Sequence, residues 1–126
     1  MRSILYLTSL LLIISFNIYA QGTSFTAYEA KVTNLENGKS LTNKVYISVL
    51  MTTDMPTKTT YLKLSSGKLF TIKTYSGSRD GFSGYGTDSD GISCKVQIYL
   101  VKNRSWHMTI TYDNCTFDYK LKSDYE

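Results

Sequence analysis

From residue 24 onward, apolar and polar side chains alternate in short runs separated by Gly, Asn, Asp and Ser. In residues 44–52, Val45, Ile47, Val49 and Met51 share one parity. In 93–101 it is Cys94, Val96, Ile98 and Leu100. In 105–112 it is Trp106, Met108, Ile110 and Tyr112, and in 115–122 it is Cys115, Phe117, Tyr119 and Leu121. A period of two with Val, Ile, Thr, Tyr and Phe enriched is the signature of half-buried strands. Outside the first twenty residues, no apolar stripe of helical period exceeds two turns. The runs 24–33, 58–64 and 68–75 complete a set of about seven strands. The fold class is therefore all-β: an antiparallel meander forming a strongly bent sheet, a small barrel or a sandwich.

Some registers follow from parity alone. A two-residue turn at Asp113-Asn114 pairs Tyr112 with Cys115, Ile110 with Phe117, Met108 with Tyr119 and Trp106 with Leu121, all apolar on one face. The preceding hairpin needs an odd loop, which Lys102-Asn103-Arg104 supplies. In the first strand the apolar parity switches between Phe25/Ala27 and Tyr28/Ala30/Val32, which predicts a bulge. The polar, Gly-rich stretch from Ser76 to Gly91 reads as a long loop with room for a short pairing in its middle.

Residues 1–20 have a different character. Arg2 precedes an apolar run through Ile14, broken by Thr8 and Ser9, and the stretch ends at Ile18-Tyr19-Ala20. A basic start, a short apolar centre and a small exit residue describe a secretory signal peptide. The run is too interrupted for a membrane span, which needs about 20 apolar residues. The expectation is cleavage after Ala20, a secreted or periplasmic protein, and a single β domain over residues 21–126.

The net charge is +4, one unit of which leaves with Arg2. Lysines 31, 39, 44, 58, 63, 68 and 73 are dispersed, mostly on alternate strand positions. That is the pattern of a solvated sheet face, and it argues against a nucleic-acid surface. Two cysteines in an exported chain predict a Cys94–Cys115 disulfide. The register opposes it, because the strand ending at Tyr112 lies between them. Two inter-strand spacings come to about 10 Å, and a disulfide wants Cα atoms within about 7 Å. Bonding requires the sheet to curl sharply there.

No complete chemical constellation is present, so no catalytic residue, metal site or cofactor is expected. Asp88, Asp90 and Gly91 resemble a calcium loop, but an EF-hand needs an acid at its first position and Glu at its twelfth. Gly86 and Gln97 stand there, and the stretch reads as an Asp-capped turn. His107 falls on the outer parity with no positioned partner. Tyr46, Tyr61 and Tyr99 also fall outside. The candidate binding residues are Arg79, Phe82 and Tyr85 in the Gly-rich stretch, where exposed aromatics could meet a partner.

Tyr19-Ala20-Gln21, Thr26-Ala27-Tyr28, the Asp88-x-Asp-Gly-x-x-Cys94 stretch and Thr109-Ile110-Thr111-Tyr112-Asp113 resemble short uncharacterised exported β-proteins of flavobacterium-like bacteria. That resemblance implies export and no particular activity. In size, export and cysteine content the chain is also similar to periplasmic lysozyme inhibitors of the small β-barrel type. Phe82-Ser83-Gly84-Tyr85 is loosely similar to their serine-glycine-tyrosine loop, and no inhibitory residue carries over. The function expected first is a non-catalytic binding or interaction module whose partner is an extracellular protein or polysaccharide. The alternative is an inhibitor of a cell-wall hydrolase, inserting loop 77–86 into an active site. A small enzyme is the third reading.

Overall fold

The computed structural model describes residues 22–78, 80–102 and 105–124. The expected leader, Arg79 and loop residues Asn103 and Arg104 lie outside the described residues. Eight strands follow one another: β1 (Gly22–Asn34), β2 (Ser40–Asp54), β3 (Thr59–Leu64), β4 (Leu69–Ser78), β5 (Gly81–Asp88), β6 (Ser93–Leu100), β7 (Ser105–Thr111) and β8 (Cys115–Ser123). Each pairs antiparallel with the next, and β8 returns to β1, so the sheet closes into a barrel. No described residue is helical.

The alternation read from the sequence selects what lies inside. Phe25, Ala27, Val49, Leu62, Leu64, Phe70, Ile72, Val96, Ile98, Met108, Ile110 and Leu121 are buried. An eight-stranded barrel has an interior just wide enough for side chains to fill, and these residues fill it. Lys31, Lys44, Lys63, Lys120 and Lys122 stand exposed on the outer wall. Apolar inside and charged outside is the inverse of a transmembrane barrel, whose lipid face must be apolar. No helix among the described residues is long and apolar enough to cross a membrane.

The terminal hairpin has the expected register, with Trp106 opposite Leu121, Met108 opposite Tyr119 and Ile110 opposite Phe117. The Tyr112 N–H donates to the Cys115 carbonyl at 2.8 Å, which closes the Asp113-Asn114 turn. The bulge in β1 is present as well. Register shifts between Ala27 and Glu29 against both neighbours, so Phe25 and Ala27 face inward before it and Ala30 packs on the core after it.

Two expectations change. The count is eight because the Gly-rich stretch is a strand: β5 pairs along its whole length with β4 and β6. Its glycines explain both the strand and the misreading. Gly84 and Gly86 share the inward parity of Phe82. A Cβ on Gly86 would lie 2.0 Å from the Thr71 carbonyl oxygen, where β4 bulges between Ile72 and Thr74. The wall passes so close there that only glycine fits. The second correction is the disulfide: Cys94 and Cys115 are free thiols. Lys95 pairs with Thr111, and Thr111 with Thr116, so β7 stands intact between the two cysteines. The curl that bonding required does not occur.

Candidate functional site

The barrel has two mouths. One is formed by the start of β1, the β2–β3 connection, the ends of β4, β6 and β8, and the starts of β5 and β7. There the interior filling stops short. Phe25, Met51, Phe82, Ile98 and Trp106 line a recess of about 250 Å³, with Thr23, Gly81 and Ser123 at its rim. Each aromatic arrives by strand parity. Phe25 is the first inward residue of β1 that is fully buried, and Trp106 opens the inward series of β7. Their rings sit 5.4 Å apart and tilted by 57°, a favourable aromatic packing geometry. Phe82 is drawn in because Ile98 lies opposite it on β6 and Gly77 opposite it on β4.

One polar atom stands out among these apolar groups. Trp106 Nε1 is buried and donates to no acceptor among the described residues. Buried donors in folded proteins are nearly always paired, and leaving one unpaired costs about 1–3 kcal/mol. The sequence placed Trp106 in the core but gave no sign of this unpaired N–H. Only the positions of neighbouring acceptors reveal it.

The structure separates the candidate binding residues. Phe82 points into the first mouth. Tyr85, three positions on, occupies the opposite face of β5 and is 60% exposed, with Lys95 Nζ 5.4 Å from its ring centre. The two rings therefore cannot hold one ligand together. Arg79 lies outside the described residues. The hairpin tip beside it is tied down, since Leu100 N–H donates to the Asp80 carbonyl at 2.9 Å. Gly77, Ser78 and residues 81–86 are thus paired strand, not part of a protruding loop.

The second mouth is capped. The Asp88 carboxylate accepts from the Asp90 and Ile92 N–H groups at 2.9 and 3.0 Å, and Gly91 takes a φ of 80°. This is the Asp-capped turn read from the sequence. Asp88 also accepts from the Tyr112 hydroxyl at 2.8 Å. The Ile92 N–H bond is the main cause that holds the Asp88 pKa below its ordinary value, against some desolvation. Desolvation is also what raises Tyr112, with the Asp88 hydrogen bond next. Cys94 is pushed up to about 11, first by burial and then by the Asp88 charge. A thiol held this way is a poor nucleophile at neutral pH.

His107 is on the outer wall, its ring 5.7 Å from that of Tyr99. Tyr46, Tyr61 and Tyr99 are exposed, as their parity requires. No group of three potential metal ligands occurs among the described residues. No protein-family model matches the chain, and no curated protein matches it.

Proposed function

We propose that the protein is an exported, non-catalytic binding module, and that its ligand enters the first mouth beside Trp106. The observation that carries this reading is the Trp106 N–H, unpaired among the described residues, at a mostly apolar recess. Such a site suits an apolar group that bears one hydrogen-bond acceptor. The recess is small beside typical ligand pockets of about 300–1,000 Å³. It fits a side chain or terminal group of a larger extracellular protein or polysaccharide. The sequence of residues 1–20 supports export. The placement of His107 on the outer wall and of Cys94 under a burial-raised pKa supports a non-catalytic role. The hydrolase-inhibitor alternative rested on a free 77–86 loop, and a paired strand occupies most of that stretch.

Trp106 is the only tryptophan, so its emission reports on this mouth alone. Titration with proteins and glycans of the native milieu should shift that emission for a true ligand. Trp106→Phe keeps an aromatic ring but removes the N–H together with part of the indole, and it should weaken the complex about tenfold, equivalent to roughly 1.4 kcal/mol. A ligand that binds Trp106→Phe as tightly as the wild type, without perturbing Trp106, would refute this site.

A further inference from the structure

The outer wall beside the first mouth carries a groove of about 470 Å³ over β4, β5 and β6. Ser76, Gly81, Ser83, Gln97 and Tyr99 line it. Strand pairing brings these residues together: Ser76 lies opposite Ser83, Ser83 opposite Gln97, and Gly81 opposite Tyr99. The register runs without a shift from Thr74 to Ser78 on β4 and throughout the β5–β6 ladder. Gly84 and Ile98, at the alternate positions, are buried, so this row faces outward. The groove shares the Gly81-Phe82 segment with the recess at Trp106. Its Ser76, Ser83, Gln97 and Tyr99 side chains belong to the other face of the sheet.

Tyr99 is 42% exposed, and its two neighbouring strands treat it differently. On β7 it meets His107, whose ring packs at 5.7 Å with a tilt of 48°. On β5 it meets Gly81. A Cβ there would lie 3.0 Å from the Ile98 carbonyl oxygen, so close approach of the strands keeps glycine at this position. No side chain from β5 therefore stands opposite Tyr99. The bared ring lies beside one amide and two hydroxyls. Among the described residues, the Gln97, Ser76 and Ser83 side chains form no hydrogen bond to protein. None of the lining residues is charged.

We propose that this groove binds a pyranose unit of a neutral polysaccharide. A sugar ring has one face of C–H groups and a rim of hydroxyls. The negative face of an aromatic ring attracts the weakly positive C–H groups. Sugar hydroxyls both donate and accept, and so do the Gln97 amide and the two serine hydroxyls around Tyr99. The volume lies within the range of about 300–1,000 Å³ usual for ligand pockets. An ionic ligand would find no opposite charge in the lining. A peptide that adds to a sheet needs a free strand edge. β5 and β6, which floor the groove, are paired on both sides. The site is independent of the reading given to the mouth beside Trp106.

Affinity electrophoresis of the purified protein tests this, in native gels containing hydroxyethylcellulose, galactomannan or dextran, with alginate as the charged comparison. At least one neutral polymer should retard the protein. Added salt should not relieve the retardation, because no ion pair is involved. Tyr99→Ala should weaken it about tenfold, as loss of an aromatic anchor does, and Tyr99→Phe should retain it. Gln97→Ala should weaken it about fivefold, the order of one neutral hydrogen bond. Trp106→Phe should leave it unchanged, which separates this groove from the recess. Far-UV spectra check that each variant is folded. Free migration in all three neutral gels would overturn the inference. So would retardation by alginate alone that salt abolishes, or retardation that survives Tyr99→Ala. Loss in Trp106→Phe with Tyr99→Ala unaffected would move the polymer to the recess and refute the groove.

Discussion

Tyr112, just past the end of β7, donates a hydroxyl hydrogen bond to Asp88 at the end of β5, 24 positions earlier, across 2.8 Å. The bond spans the second mouth and ties the β5–β6 turn to the turn that opens β8. It also couples two groups whose ionisation the fold opposes or favours in definite directions.

That coupling gives stability a pH dependence with two signs. Asp88 has a folded pKa below its ordinary 3.8, mainly through the Ile92 N–H bond. Its contribution is therefore complete above that value and is lost as pH falls through the folded pKa. Asp124 acts in the same sense, because the Ser24 and Thr26 hydroxyls donate to its carboxylate. Tyr112 is raised above its ordinary 10.0, so its contribution is complete below pH 10 and is lost as pH rises beyond it. Thermal unfolding across the pH range should show a plateau with losses at both ends. Tyr112→Phe should lower the plateau and flatten the alkaline limb.

Core and wall substitutions should separate cleanly. Ile110 is 1% exposed, and Ile110→Ala should cost about 2–5 kcal/mol in chemical denaturation. Phe117 is only partly covered, with Tyr112 edge-on at 5.9 Å and Lys68 Nζ 4.2 Å from its ring centre. Phe117→Ala should therefore cost less than Ile110→Ala. Thr109→Ala on the outer wall removes one 2.8 Å bond to Asp118 and should cost about 1 kcal/mol.

Glycines of the β5 region should differ by what their missing Cβ would meet. Gly86→Ala drives a methyl into the Thr71 carbonyl, and backbone must move, at a cost above about 3 kcal/mol. Gly91→Ala meets open space and pays only for its left-handed φ, about 1–2 kcal/mol. Comparing the two unfolding midpoints checks whether β5 is a tight wall strand or a loop.

Thiol reagents should find two free cysteines per chain after unfolding. In the native state Cys115, partly exposed, should react first. Cys94, buried and held at about 11, should wait for the barrel to open. A chain with no titratable thiol would place these residues in a bond.

Over the described residues, the fold was legible wherever one face of a strand was consistently apolar. The register of β7 and β8 could be written down from Trp106, Met108, Ile110 and their partners, and the β1 bulge from the parity switch after Ala27. β5 was not legible, because its inward positions after Phe82 are glycine. A residue with no side chain gives no alternation to read, though Phe82, Gly84 and Gly86 still keep the period. The cysteines show the converse: inward parity at one end of the meander suggested a bond, while the spacing of the strands forbade it. The candidate site was legible only in part. Phe82 belongs to the recess and Tyr85 does not, since three positions along a strand always cross the sheet. Trp106 was legible as core, but the orphaned state of its N–H depends on several strands at once.

Seven of the eight ladders join strands adjacent in sequence, and each can form as a hairpin on its own. The eighth is different in kind. β1 and β8 meet from opposite ends of the domain, with Thr26 bonded to Asp124 across 98 positions at 2.7 Å. Loop-closure entropy makes such a contact the slowest to form. Until it forms, the chain is an open curl with two raw edges, one of them β1. Folding of this protein therefore has a natural last step: zipping Phe25–Asn34 against Cys115–Ser123. Swift completion of that step separates a sealed cylinder from an aggregation-prone sheet.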